Sequence, residues 1–263
     1  MFFDSHAHYY DDRFYGEENT QGAEKLLETL FADGLLGVIN VGTRNKTNML
    51  AIEQAKKFPK MYAAVGIHPE DLVHTEIGLD GELEALRGLL EDREENKIVA
   101  IGEIGLDYYW EPYDKDLQLK CFKAQLEMAR ECGLPVVIHD REAHGDCFET
   151  VLEYPDVRGV FHSYSGSAEM ARELVRRGWY ISFSGVVSFK NAAKINEVAR
   201  VVPDDRILIE TDAPYLAPHP FRGKINHSGR LLYTAAALAK ARGCSLEEVA
   251  RATVENTKEL FGV

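Results

Sequence analysis

The chain has 263 residues, 45% of them hydrophobic, with 43 acidic against 30 basic side chains and a formal net charge of −13. That length supports one large domain, and the apolar content is ordinary for a chain that buries a full core. The charge excludes a broad basic face for polyanions, so any nucleic acid would have to be met by bound cations and a few local arginines or lysines.

Eight short apolar runs alternate with amphipathic stretches along the chain. The runs cover 1–8, 36–42, 61–69, 98–107, 135–141, 159–166, 179–185 and 206–216. They are almost continuously apolar, as strands buried on both faces must be. Between the third and fourth runs, Leu83, Leu86, Leu89 and Leu90 share one helical face. Between the fourth and fifth, Leu119, Phe122, Leu126 and Ala129 do the same, and the pattern stops at Gly133. A helix predicted to start at Ser167 ends at Gly178; glycine past a last turn fits a left-handed cap. After the eighth run two or three helices follow, one opening with Ser245 and Glu248 in capping-box spacing.

Eight β/α alternations in this length predict a (β/α)8 TIM barrel over 1–263, read as a single domain. A doubly wound open sheet is the runner-up, but it would more readily carry a glycine-rich phosphate fingerprint after its first strand, and the sequence has none. Cys121, Cys132, Cys147 and Cys244 form no CxxC pair and read as reduced thiols in a cytoplasmic protein. Asp4 and His6 interrupt any signal-peptide pattern, and no apolar run approaches the ~18 residues of a membrane span. No obligate protein partner is evident.

Barrel active sites gather at the C-terminal ends of strands. His6 and His8 end the first run, two residues apart and so on one face of a strand. His68 ends the third run, Glu103 lies in the fourth, and His139 ends the fifth, followed by Asp140 and Arg141. The sixth run carries His162 and the eighth carries Glu210 and Asp212. A lone histidine at a strand end is ordinarily a structural residue. A carboxylate inside an apolar strand, such as Glu103 between Gly102 and Gly105, is costly to bury unless a cation or a hydrogen-bond partner meets it. The joint set His6, His8, Glu103, His139, His162 and Asp212 therefore points to metal binding. Imidazole and carboxylate without thiolate suit Zn, Mn, Fe or Mg. Six donors exceed the needs of one catalytic ion, which usually takes three, and suit two divalent ions bridged by a carboxylate, with Glu103 the best bridge.

With these motifs in view, the chain resembles the TatD family of metal-dependent deoxyribonucleases, among the amidohydrolase-like barrels. The matching segments run in order from residue 3 to 226: FDSHAH, VGIHP, AIGEIGLDYY, PVVIHDREA, FHSYSG, ISFSG and ILIETDAPYLAPHPFRGKIN. The resemblance implies that His6, His8, Glu103 and Asp212 hold one metal, that Glu103, His139 and His162 hold the second, and that His68 touches a substrate phosphate. The chain departs from the family after Asn226, where an acidic residue and prolines are usual and HSGR stands instead. A milder departure is Ser163 and Tyr164 in the sixth run. Glu103 stands where another branch of such barrels bridges through a modified lysine.

On this reading two divalent ions (Mg, Mn or Zn) and the catalytic residues Asp212 and Glu103 serve hydrolysis of a DNA phosphodiester, Asp212 orienting the attacking water. Arg222 and Lys224 are candidate phosphate grips, or else a solvated loop; Arg141 is similar. Tyr108, Tyr109 and Trp110 either stack on an unpaired base or pack as a rim loop. The acidic surface favours a 3′ end or a single strand over a long duplex footprint. Two rivals remain: a metal hydrolase of a small amide or lactone, and a non-enzymatic barrel with a structural metal. Serine chemistry at Ser163, Ser165 or Ser184 lacks a nucleophile elbow.

Overall fold

The computed structural model describes residues 1–16 and 22–263. Its strands are β1 (Phe3–Ala7), β2 (Gly37–Val41), β3 (Met61–Val65), β4 (Ile98–Asp107), β5 (Val136–Arg141), β6 (Gly159–Phe161), β7 (Tyr180–Phe183) and β8 (Ile207–Ile209). They form one eight-stranded sheet in sequence order, and every neighbouring pair is parallel. The helices are α1 (Gly22–Ala32), α2 (Asn45–Lys57), α3 (Gly78–Glu91), α4 (Lys115–Cys132), α5 (His144–Leu152), α6 (Ala168–Arg176), α7 (Ala193–Val201), α8 (Leu231–Arg242) and α9 (Leu246–Phe261). This is the (β/α)8 barrel that the alternation predicts.

Strand periodicity splits the core into two sets. Val136 and Ile138 of β5 join one buried cluster and Val137 the other; Ile207 and Ile209 of β8 join the first and Leu208 the second. Alternate side chains leave a strand on opposite faces. The smaller set, with Ile39, Val41, Ala64, Ala100, Val160 and Leu208, therefore fills the barrel, and the larger set lies between sheet and helices. Leu260 and Phe261 from the end of α9 join the inner set.

The predicted caps are present. Gly133 takes φ 66° behind α4 and Gly178 takes φ 87°. The Ser167 side chain accepts from Met170 N, and Ser245 and Glu248 cap α9 reciprocally. The third-to-fourth-run helix ends at Glu91, short of its acidic tail. The sixth and eighth runs are longer in sequence than as strands: β6 and β8 keep three residues each, and the remainder becomes loop. Asp212 at φ 54° breaks the extended path after β8, a left-handed conformation that aspartate tolerates better than most residues.

β1 and β8 close the sheet through a small polar seam. Buried Asp4 accepts from Thr211 N (3.0 Å), Thr211 Oγ1 (2.6 Å) and Ser228 Oγ (2.6 Å). Burial nevertheless pushes its carboxyl up to about 6. Ser5 Oγ donates to Ile209 O at 3.0 Å, Asp212 N to His6 O at 2.9 Å, and His8 N to Ala213 O at 2.7 Å. The HSGR segment is part of this seam, because Ser228 N donates to the Tyr9 hydroxyl at 2.9 Å. Among the described residues no helix is long and apolar enough to cross a membrane.

Two stability outcomes follow. Leu208→Ala is expected to cost about 2–5 kcal/mol, read by chemical denaturation, because it empties a fully enclosed barrel position. Burial and the nearby Arg230 push His227 down from 6.5 to about 4. The unfolded chain thus takes up a proton near 6.5 that the folded chain refuses until about 4, so the His227 contribution to stability falls as pH drops across that window. His227→Phe should flatten that stretch of the denaturation-midpoint profile relative to the wild type.

Candidate metal centre

His6 of β1, His8 just beyond that strand, Glu103 of β4 and Asp212 after β8 meet at the C-terminal mouth of the barrel. His6 Nε2 lies 3.0 Å from His8 Nε2, 3.4 Å from Glu103 Oε2 and 3.6 Å from Asp212 Oδ1. His8 Nε2 lies 3.6 Å from Glu103 Oε2 and 3.4 Å from Asp212 Oδ1. A tetrahedron with roughly 2.1 Å from centre to corner has edges of roughly 3.4 Å, so His6 and His8 are spaced as ligands of a small divalent cation with Glu103 Oε2 and, likewise, with Asp212 Oδ1.

The other Glu103 oxygen faces a second group. Oε1 is 2.8 Å from His139 Nδ1, 2.8 Å from His162 Nε2 and 3.4 Å from His68 Nε2; the His139 and His162 nitrogens are 3.3 Å apart. Glu103 is only 3% exposed. One buried carboxylate thus offers an oxygen to each of two imidazole groups. Gly105 makes room for this: at φ 140° its backbone passes so close to β5 that an added Cβ would sit 2.0 Å from His139 O.

The outer ring nitrogens decide what each histidine can do. His8 Nδ1 meets Val41 O at 2.7 Å, His139 Nε2 meets Asp107 Oδ2 at 2.8 Å, and His162 Nδ1 meets Glu210 Oε1 at 3.2 Å. Each of these partners is an acceptor, so each neutral ring keeps its proton outside and turns a lone pair inward, the arrangement metal-ligating histidines need. His68 differs. Its Nδ1 accepts from Glu70 N at 3.2 Å, which leaves the proton on the inward Nε2. In that tautomer His68 faces the cluster with a donor, while its spacing from Glu103 and His139 would also admit an ion. His6 Nδ1 is buried without a hydrogen-bond partner among the described residues.

Charge in the cluster is finely balanced. Burial alone would raise Glu103, but His162, His68, His6 and His139 hold it well below the usual carboxylate range. Burial opposes the protonation of His139 and loses to Asp107 and Glu103, which bring it up to about 9; His162 is raised well above its ordinary value by Glu103 and Glu210 in the same way. His6 is pushed down by burial and by His162. Buried anions that draw protons onto their neighbours are a site in need of cations. Donor spacing, donor chemistry and tautomer control all fit divalent metal ions.

The sequence of this chain matches the family model described as "TatD related DNase" over residues 3–262. The chain belongs to the TatD family. Relatives of it are named as metal-dependent hydrolases. The Bacillus subtilis (strain 168) protein named "Uncharacterized metal-dependent hydrolase YabD" is 39% identical over 100% of both chains. The Mycobacterium tuberculosis protein named "Uncharacterized metal-dependent hydrolase TatD" is 33% identical over 94% of each. The crystal structure of YJJV, a TatD homologue from Escherichia coli K12, superposes with a TM-score of 0.90 at 30% identity, covering 100% of this chain and 98% of the other.

The structure brings His6, His8, His68, Glu103, His139, His162 and Asp212 together. Arg141 also reaches the mouth, its guanidinium 3.9 Å from the Tyr109 ring centroid and 5.2 Å from that of Trp110. Arg222 and Lys224 lie exposed on the loop after β8, outside the side chains lining the metal cleft. Arg222 stacks instead on Phe189, 4.3 Å from its centroid. The sequence alone marks no role for Asp107, although it stands four residues beyond Glu103 in one strand, a same-face spacing. Glu210 stands two before Asp212, and its role became visible only with His162 beside it.

Asp107→Asn and Glu210→Gln should each weaken metal affinity about 10–100-fold by freeing the ring each carboxylate orients, as read by calorimetric metal titration. Gly105→Ala should lower metal occupancy by displacing His139, with the barrel's circular-dichroism spectrum retained.

Proposed function

We propose that the chain, acting as one barrel domain over 1–263, hydrolyses phosphodiester bonds in DNA, at 3′ ends or in single strands. The observation that carries this reading is the two-sided use of Glu103, with a ligand group on each carboxylate oxygen, beside a histidine arranged to donate to an anion. His6, His8, Glu103 and Asp212 would hold one divalent ion, and Glu103, His139 and His162 the other. Bound ions of this kind supply Lewis acidity at a phosphoryl oxygen and lower the pKa of water. Mg, Mn and Zn all suit the donor set.

The protein's own groups supply the remainder. Asp212 turns Oδ1 to His6 and His8; Oδ2 is then the oxygen that orients the attacking water and takes its proton. His68 Nε2–H donates to a phosphoryl oxygen. Glu103 stays ionised and fixes the separation of the two ligand groups. Tyr109 and Trp110 are about half exposed, at 51% and 53%, and flank Arg141 at the rim. Such a surface suits stacking of an unpaired base, which is worth ~1–3 kcal/mol per base. The same donors would serve amide or lactone hydrolysis; the anion-directed His68 and the aromatic rim favour the phosphodiester. Four free cysteines accord with a cytoplasmic setting.

The test is metal-dependent digestion of end-labelled single-stranded and duplex DNA beside RNA and a panel of amides and lactones. Asp212→Asn should lose about 100–10,000-fold in DNA turnover with its fold intact. Turnover of an amide or lactone with no nucleic acid digested would overturn the reading. Trp110 also gives a binding signal without turnover, since the other tryptophan, Trp179, is buried. A single-stranded oligonucleotide should quench its fluorescence, and added salt should reverse the quenching.

A further inference from the structure

Two clefts open side by side over the ligand cluster. The first, about 510 Å³, lies toward the loops after β1 to β4 and includes Arg44, His68, Glu70, Asp71 and Trp110. The second, about 470 Å³, lies over the loops after β5 to β8. Both are of a size that takes small organic ligands. They share His139, Arg141, His162, Asp212 and Tyr215, so a bond held at the cluster has a compartment on either side. The function proposed above uses the first cleft and leaves the second without an occupant.

The second cleft has its own chemistry. One wall is apolar, made by Val186, Phe189, Ile195 and Leu216. Its rim is cationic. Lys194 Nζ is held by Ser165 O at 2.8 Å, Arg141 stands at the boundary with the first cleft, and Arg222 lies against Phe189. Its acids are the ligand Asp212 and Asp140, and Asp140 is engaged with His144 Nδ1 at 2.9 Å. The first cleft adds Asp11, Glu70, Asp71 and Asp107 to its ligand carboxylates. An anion joined to a flat apolar ring therefore matches the second cleft better than the first.

We propose that this second cleft binds one nucleotide unit of the substrate strand, its base against the Phe189 wall and its phosphate toward Lys194 and Arg141. The proposal rests on the nuclease reading and extends it: the substrate has a residue on each side of the scissile bond, and the cleft over β5 to β8 recognises one of them.

Calorimetric titration of the full chain with dAMP, and separately with inorganic phosphate, tests this in the presence and absence of added metal. Asn191→Trp fills the cleft from an exposed position, and Lys194→Glu reverses its rim charge. Each should weaken dAMP binding about ten-fold, the scale of one lost stack or phosphate contact. Asn191→Trp should leave the affinity for inorganic phosphate unchanged, because it blocks the base. Lys120→Glu, the same charge change on the exposed face of α4, should leave dAMP affinity unchanged. Equal dAMP affinity in wild type and both cleft variants, or no dAMP binding by the wild type, overturns the proposal. Oligonucleotide digestion reports separately: a wild type that digests DNA without binding dAMP sinks the cleft assignment alone. One that binds dAMP in this cleft but digests no nucleic acid sinks the nuclease reading alone.

Discussion

The site is organised around one buried carboxylate. Glu103 sits in the middle of β4, almost wholly shielded from water, where an uncompensated anion would be untenable. Four imidazole nitrogens within 3.4 Å surround its two oxygens. Those imidazoles come from β1, the loop after β3, β5 and the end of β6, so four separate parts of the barrel must converge to satisfy one side chain. Asp107 and Glu210 then hold His139 and His162 in place from behind. The cost of burying Glu103 is what ties the mouth of the barrel into a single charged unit.

Closure of the sheet completes that unit. β1 and its exit bring His6 and His8, while Asp212 follows β8, the most distant strand in sequence. They become neighbours because the seam through Asp4, Thr211 and Ser228 joins the first strand to the segment after the last. In an open sheet of the same strands, Asp212 would stand at the far edge from the histidines. The segment after Asn226 is therefore part of the framework: Ser228 bonds both Asp4 and Tyr9.

Charge is partitioned between surface and pocket. A chain carrying −13 overall repels polyanions at a distance. On the proposed nuclease reading, attraction for phosphate would be short-range, supplied at the mouth by bound cations, His68 and Arg141. Aromatic side chains beside Arg141 add contact area that does not depend on long-range fields. On that proposed reading, such an arrangement would suit a flexible end better than an extended duplex.

The sequence by itself determined the barrel, because uninterrupted apolar runs at regular spacing record strands buried on both faces. It also determined which residues could be ligands, because His-x-His and carboxylates inside apolar strands have few inexpensive uses. It left the strand lengths of β6 and β8 overestimated, since an apolar loop packed at the barrel mouth has the same composition as a strand. The surroundings of His68, Asp107, Glu210 and Arg222 were decided only by the tertiary structure. A histidine ligates or donates according to what its outer nitrogen meets, and that partner comes from a distant strand. Residue type and spacing record burial along one segment; the direction of a proton and the wall of a cleft are set by segments that meet only when the barrel closes.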